Sequence, residues 1–539
     1  MAVTEDVEQG VLVREGVYGD KVIAVEPGGN EYIAESERHG RPLDLFWTWM
    51  SPNLEFATIF VGVLPIVVFG GGFWLTVLGC VIGTAMGSLT HGFLSAMGPR
   101  FGVPQMVQSR AAFGYRGVIL PAGFNTLTAG IGWFIVNSVS GTFALLVLTS
   151  GALSFPIAFT LVVLAQVAVA FVGHNFIHQF EKYALVYLGI VFAIAVVIIL
   201  AKTNYGVGFN AKAPVAFGGQ SGAFMLSIFI SFGYAAGWNP YASDYTRYLP
   251  TMVNRRNVGL AAGLGVFVSC VLLETAGAGV ATLGGTNPNP TVNFTAPLPG
   301  LLQTLVLIGI LVGAIAANVL NIYSGAMSFL TLGIKLGLHQ RRAISAVGSG
   351  VIGLIIGIAF QANVGPGTKY ENFLLAITYW IAPWLAVVLT DYWMRRGRFA
   401  ESEFFDKSHG SWRGWVPMLA GLVVAVPFWD QGDPLAPGTH PIIGAVPFAH
   451  PEWGDLTFVV GFIVAAVLFY VLNRGRATAV AAAVVQPVHG DQPVHTDQAA
   501  HTDHTPHTDH APHTDRPAHT DHAPHTDRPA QTDNPSDRP

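Results

Sequence analysis

The sequence predicts an all-α polytopic membrane protein with twelve transmembrane helices. Three observations carry that prediction. Of 539 residues, 51% are hydrophobic and only 11% are Asp, Glu, Lys or Arg. Apolar stretches near the roughly 20 residues that cross a bilayer recur along most of the chain. The basic residues then fall on alternate loops. Soluble domains carry about 25% charged residues, so an ordinary water-soluble enzyme of this size is excluded.

The stretches run approximately through 46–69, 73–97, 117–149, 155–173, 180–201 and 222–242, then 257–283, 299–334, 342–360, 371–393, 414–430 and 455–473. Residues 1–44 ahead of them are polar and rich in turn formers. They lack the short apolar run and small-residue cleavage site of a signal peptide, so the first hydrophobic helix would direct insertion. Orientation follows from Lys and Arg rather than from net charge. With an inner N-terminus, 24 of the 27 basic residues face the cytoplasm, and only Lys202, Lys212 and Lys369 fall outside. A miscounted span would scramble this alternation. The expectation is a multi-pass protein of the cytoplasmic (plasma) membrane, embedded in lipid, with both termini inside.

Three regions follow: a cytoplasmic segment (1–44), a twelve-helix domain (45–476) and a tail (477–539). The tail repeats HTDHAPHTDRPA without change at 507–518 and 519–530. Split at residue 487, the net charge of −5 divides into −6 for the tail and +1 for the rest. A segment of Pro, His, Thr and Asp has no apolar face to bury and is expected to be disordered. Its ten His residues could collect divalent metal weakly, and the simpler reading is a solvated, dispensable tail. Cys80 and Cys270 lie in apolar runs and read as small core hydrophobes, not as a disulfide or metal site. No basic footprint for nucleic acid is present.

Two stretches break the rules of a simple lipid-facing helix. The first contains Met50-Ser51-Pro52-Asn53 and the sixth Gly237-Trp238-Asn239-Pro240. Proline removes a donor and frees a carbonyl one turn earlier, which a membrane tolerates only beside a cavity or another partner. Each proline alone could simply kink a packed helix. They fall in corresponding members if stretches one to five and six to ten are two repeats, and paired interruptions of that kind point to a transporter site at the midplane.

The third stretch supplies Trp133 and Asn137, one turn apart on one face. An indole stacks on a flat heterocycle, and an amide offers both donor and acceptor to its edge. The eighth stretch supplies Asn318 and Asn321. Any one of these amides is more often a bond between helices than a ligand contact. Three of them beside two breaks make a polar pocket the better joint reading.

The segments GYAAGWNPYASDYTRYLP (233–250), GIGWFIVN (130–137) and NVLNIYS (318–324) resemble the purine-cytosine permease branch of the nucleobase-cation-symport-1 family. The similarity extends from about residue 36 to residue 475. The resemblance implies a five-plus-five inverted repeat, as in sodium-coupled amino-acid transporters, followed by two C-terminal helices. It also implies a symporter that imports cytosine, adenine, guanine or hypoxanthine on a proton or sodium gradient, with no cofactor. The family's substrate-stacking Trp falls on Trp133, its polar neighbour on Asn137, and its sixth-span aromatic on Trp238 or, one turn away, Tyr234. Its eighth-span amide falls on Asn321 with Asn318 adjacent, an acidic residue on Glu181, and a substrate-region serine on Ser51. Sodium-dependent relatives carry hydroxyls about one and a half turns before that amide. This chain has Val312-Gly313-Ala314-Ile315-Ala316-Ala317 there. A hard cation needs several oxygen ligands, which favours protons over sodium as the coupling ion.

Proton coupling needs an intramembrane acid. Glu55 and Glu274 are the candidates within spans, with a helix-break tie as the alternative for Glu55. Glu181, at a helix end, has Lys182 and His178 as possible partners. Asp244, followed by Arg247, reads as a gate or an ion pair. Allied substrates form the runner-up: uracil, allantoin, a hydantoin or a thiamine-like vitamin, with sodium coupling retained as an alternative. A membrane sensor or integral membrane enzyme is the remote alternative. Against catalysis, HExxH, GxSxG, GK[ST] and CxxC motifs are all missing.

Overall fold

A bilayer core offers no water to backbone N–H and C=O groups, so each apolar stretch must satisfy its own by becoming a helix. The computed structural model describes residues 3–6, 11–14, 20–22, 29–213, 218–334, 338–359, 370–410, 412–431 and 442–485. The His-rich repeats, Lys335 and Lys369 lie outside the described residues.

Helices α1 (Asp44–Met50) and α2 (Phe56–Val67) are the two halves of the first predicted span. They are bent by 55° around a 3-10 turn, Ser51–Asn53, that contains Pro52. Next come α3 (Phe73–Ser95), α4 (Ile119–Leu127) and α5 (Phe134–Leu148), the last two joined by a π-helical turn, Thr128–Trp133. Such turns recur at functional sites because the extra residue re-aims a side chain, and this one ends on Trp133. α6 (Phe155–Val172) passes into α7 (His174–Lys202) through Gly173, whose φ of 112° suits only glycine. The second break lies between α8 (Gly219–Ala236) and α9 (Ala242–Thr246), with Pro240 in the 3-10 turn Asn239–Tyr241. The remaining long helices are α10 (Arg255–Ala281), α11 (Gly300–Thr331), α12 (Leu338–Ala359), α13 (Tyr370–Met394), α14 (Trp412–Ala425) and α15 (Thr457–Val485).

Among the described residues nine helices are long and apolar enough to cross a membrane, and the bent pair makes a tenth. Two shorter apolar helices, Gly350–Ala359 and Trp412–Phe428, coincide with the ninth and eleventh predicted stretches. Two boundaries depart from the sequence reading. α7 starts six residues before the expected 180, because the polar run His174–Gln179 packs against the N-terminal segment instead of forming a loop. α15 continues through the Ala/Val stretch to Val485, past the expected end of the membrane domain.

α1, α2, α3, α8 and α10 pack on one another, while α5, α6, α11 and α12 form a second group. α7 touches both groups, lying against α11, α10 and α1. α13, α14 and α15 pack together. α3 lies close on α8, where Gly79, Gly83 and Gly87 form a small-residue stripe at every fourth position; a Cβ at Gly83 would stand 2.1 Å from the Ile228 carbonyl oxygen. On the outer faces Leu89, Val197 and Leu301 are 74%, 68% and 77% exposed, as lipid-facing side chains are.

The N-terminal segment is not without structure. β1 (Val3–Asp6) pairs antiparallel with β2 (Val11–Arg14), which pairs parallel with β3 (Tyr32–Ile33). The Ile33 N–H donates to the Gly102 carbonyl at 3.0 Å, and the His39 N–H to the Tyr248 carbonyl at 2.6 Å. A second small pair, β4 (Asp430–Gln431) with β5 (Ile442–Ile443), is antiparallel.

Candidate functional site

Each break must rehouse backbone groups that its proline leaves unpaired. Asn53 turns its amide back on α1 and donates to the Trp49 carbonyl at 2.7 Å. Its oxygen accepts from Trp238 Nε1 at 2.8 Å, so one side chain ties the first break to the second. The Thr58 hydroxyl donates to the Asn53 carbonyl at 2.6 Å and lies 2.5 Å from the Tyr234 hydroxyl. On the other side, Asn239 Nδ2 donates to Thr90 Oγ1 at 2.7 Å and Ser243 Oγ to the Leu94 carbonyl at 3.0 Å, anchoring the second break to α3.

Two aromatic groups flank these breaks. Trp133 meets Tyr234 edge-to-face at 5.4 Å and Phe373 at 5.1 Å. A Cβ at Gly237 would lie 3.1 Å from the Trp133 ring, so glycine lets the indole rest on the break backbone. Trp238 meets Trp49 and Tyr241, each at 5.7 Å, and His91 backs Trp49 with centroids 4.2 Å apart. Trp133 and Trp238 each keep 6% of their surface open.

The three amides divide into two kinds. Asn318 Nδ2 donates to the Phe134 carbonyl at 2.8 Å and to Ser138 Oγ at 3.0 Å. Its Oδ1 accepts from Asn137 at 3.1 Å and from Asn321 at 3.2 Å. Two donors and two lone pairs are the full capacity of an amide, so Asn318 is saturated and holds α5 against α11. Asn137 and Asn321 each spend one N–H on it. Asn321 Oδ1 has no hydrogen-bond partner among the described residues. Gln166, from α6, extends the same network, accepting from Ser138 at 2.8 Å and donating to the Ala314 carbonyl at 3.2 Å.

The acids separate equally clearly. Glu55 is the N-cap of α2, accepting from Ala57 N at 2.7 Å and Thr58 N at 3.2 Å, and Tyr234 donates to it at 3.2 Å. These bonds match the helix-break tie. Glu274 accepts from Thr84 at 2.8 Å through one oxygen. Asp244 accepts from Gln105 N at 2.8 Å, while Arg247 donates to the Gly29 carbonyl at 2.6 Å and to the Tyr323 hydroxyl at 3.1 Å; both therefore fasten the segments around α9. Glu181 is fully buried, and the Ser51 hydroxyl is the polar side chain that lies against its carboxylate. His178 bonds Thr48 at 3.0 Å instead of Glu181.

At the hydroxyl-free stretch of α11, a Cβ at Gly313 would stand 2.4 Å from the Leu54 carbonyl oxygen. The helix backbone thus lies directly on the first break. Sequence reasoning missed Asn53, Trp49, His91, Thr58 and Phe373. Asn53 belongs to the interrupted motif and was findable there; nothing local marks the others.

Two broken helices meeting between aromatic rings and amides inside a helical membrane body define a transporter of the broken-helix class. In fold the chain is similar to Mhp1, a nucleobase-cation-symport-1 family transporter solved in a closed conformation with bromovinylhydantoin bound: TM-score 0.65, 19% identity, covering 84% of this chain and 96% of that one. Residues 32–453 match the family of permeases for cytosine/purines, uracil, thiamine and allantoin, and the chain belongs to that family. It is 29% identical to YxlA of Bacillus subtilis over 83% of this chain and 95% of the relative. It is 27% identical to the purine-cytosine permease fcyB of Emericella nidulans over 85% and 92%. The protein is a multi-pass membrane transporter, not an enzyme.

Proposed function

We propose that this protein is a proton-coupled symporter that imports a nucleobase, cytosine or a purine, across the cytoplasmic membrane. The base stacks against Trp133 and Trp238, with Tyr234 closing the edge. Asn137 and Asn321 read its donors and acceptors. The observation that carries this reading is the saturation of Asn318, beside which Asn321 Oδ1 has no hydrogen-bond partner among the described residues. A planar base rich in N–H and C=O groups supplies what such amides lack, since a buried polar atom left unpaired costs about 1–3 kcal/mol.

The architecture in this proposal is twelve spans, a five-plus-five inverted repeat with two C-terminal helices, and both termini cytoplasmic. Rocking of the group built from α1, α2, α3, α8 and α10 against the rest would alternate access. Glu181 carries the coupling proton. Its support is geometric: of the four acids it alone accepts no hydrogen bond from backbone or from another long helix, its neighbour being the Ser51 hydroxyl in the first break. An isolated carboxylate in a dry interior costs several kcal/mol, so the acid crosses the closed state neutral and releases its proton where water reaches it. Sodium is disfavoured because α11 offers no side-chain oxygen between Val312 and Ala317.

Uptake of labelled cytosine and hypoxanthine into a permease-deficient cell tests the substrate class. No nucleobase uptake with the protein present at the membrane would refute it. Competition by uracil, allantoin and thiamine tests the wider range printed for the family. Proteoliposomes with pH and sodium gradients imposed separately test the ion, and acceleration by sodium alone would refute proton coupling.

A further inference from the structure

α1 and α7 run parallel, and their facing sides carry polar rungs at the same three-residue spacing. Ser51 faces Glu181. One turn toward the helix N-termini, Thr48 meets His178 at 3.0 Å. Beyond that rung lies a cavity of about 360 Å³ whose walls include His39, Asp44, Thr48, His174, His178 and Lys182. Thr48 and Glu181 are fully buried, whereas His178 is partly open, on the border between dry interior and cavity.

The hydrogen bonds orient the imidazole. Thr48 donates its only hydroxyl proton to the Asp44 carbonyl at 3.1 Å. With that proton on the Asp44 carbonyl, the Thr48–His178 bond takes its proton from His178 Nδ1–H and leaves Nε2 as the basic nitrogen. Residues three apart on a helix lie about 5–6 Å from each other on one face, so His178 is the next titratable group along α7 from Glu181. The groups around it are the Asp44 carboxylate on α1, His39 on the N-terminal segment, and Lys182 and His174 on α7 itself. Tyr245, beside Glu181 and His174, closes the remaining side.

We propose that His178, held by Thr48, is the exit through which Glu181 passes the coupling proton to the cytoplasmic cavity. The Glu181 O–H bond breaks and an N–H bond forms at His178 Nε2, through water admitted on inward opening, giving carboxylate and imidazolium. The imidazolium then loses that proton to cavity water and returns neutral. This rests on the proton-symport reading above.

The test uses the full chain in proteoliposomes with a pH dye inside and labelled cytosine outside. Wild type should acidify the lumen as substrate enters. His178→Gln should slow net uptake driven by a pH gradient by about ten-fold or more, while exchange of internal for external cytosine, which needs no proton release, stays within about two-fold. Thr48→Val should slow net uptake less and shift its pH dependence. Imidazole added on the cavity side should partly restore net uptake by His178→Ala. Wild-type proton flux in His178→Gln, or equal loss of exchange and net uptake, would overturn the relay and leave proton symport intact. Absence of lumen acidification by the wild type would overturn both.

Discussion

Trp133 is the most informative single residue to remove. It is 94% buried by its complement of 6% exposure, and it makes two edge-to-face contacts with Tyr234 and Phe373. Each aromatic pair contributes about 0.5–1.5 kcal/mol, and truncating a buried Trp to Ala costs about 3–5 kcal/mol of stability in all. Stacking of a base on an aromatic ring contributes about 1–3 kcal/mol, which converts to about 5- to 140-fold in affinity at 1.4 kcal/mol per decade. Trp133→Ala should therefore raise the KM for cytosine by one to two decades and lower the melting temperature of the detergent-solubilised protein. Trp133→Phe retains a stacking face and should stay within about five-fold of wild type, near the lower bound for stacking. The assay is direct binding to purified protein alongside uptake, which separates affinity from abundance. A Trp133→Ala variant that is folded and binds within two-fold of wild type would refute the stacking role.

The two kinds of amide make opposite predictions. Asn318→Ala should lower thermal stability by about 2–3 kcal/mol, because it removes the acceptor shared by the Asn137 and Asn321 amides and two bonds that hold α11 to the Phe134 carbonyl and Ser138 on α5. Asn321→Ala should instead weaken substrate binding by about ten-fold or more with little change in melting temperature; the reverse pattern would contradict the division. Gly83→Leu should abolish the monodisperse peak in size-exclusion chromatography, because its Cβ would stand 2.1 Å from the Ile228 carbonyl oxygen, an overlap costing about 3 kcal/mol or more. Asp455, two residues ahead of the membrane-crossing helix that begins at Thr457, accepts from the Tyr379 hydroxyl and from Asp430 N, and burial pushes its carboxyl up from 3.8 to about 6. A raised acid stabilises the folded state below its unfolded value, and that stabilisation is lost as pH rises through the folded one. Wild type should therefore lose stability between pH 4 and 7 relative to Asp455→Asn, followed by thermal melts across that range; parallel curves would refute this.

The membrane architecture was readable from local pattern. Lipid leaves the backbone of an apolar stretch no choice but a helix, so the stretches from 73–97 to 455–473 fall on α3 to α15, and among the described residues nine helices, or ten with the bent pair, are long and apolar enough to cross. Pro52 and Pro240 marked both breaks because a missing N–H is a property of one residue. Trp133, Asn137, Asn318 and Asn321 could be nominated because their spacing puts each pair on one helix face.

Their roles were not readable, because a role belongs to a partner and the partner lies far along the chain. Asn318 is occupied by α5 groups some 180 residues away, and only that contact decides that Asn321 is the amide left open. Asn53 reaches Trp238 across 185 residues. Glu55 and Glu181 look alike as single acids in apolar surroundings; the fold makes one the cap of α2 and leaves the other with only the Ser51 hydroxyl against it. The polar run His174–Gln179 read as loop until the N-terminal segment covered it and made it the first turns of α7. Sequence by itself determined which segments form long apolar helices, because that depends on summed transfer energy along a stretch. Tertiary structure alone decided which polar atoms remain unsatisfied once inside, because hydrogen-bond satisfaction depends on what another helix brings within 3 Å.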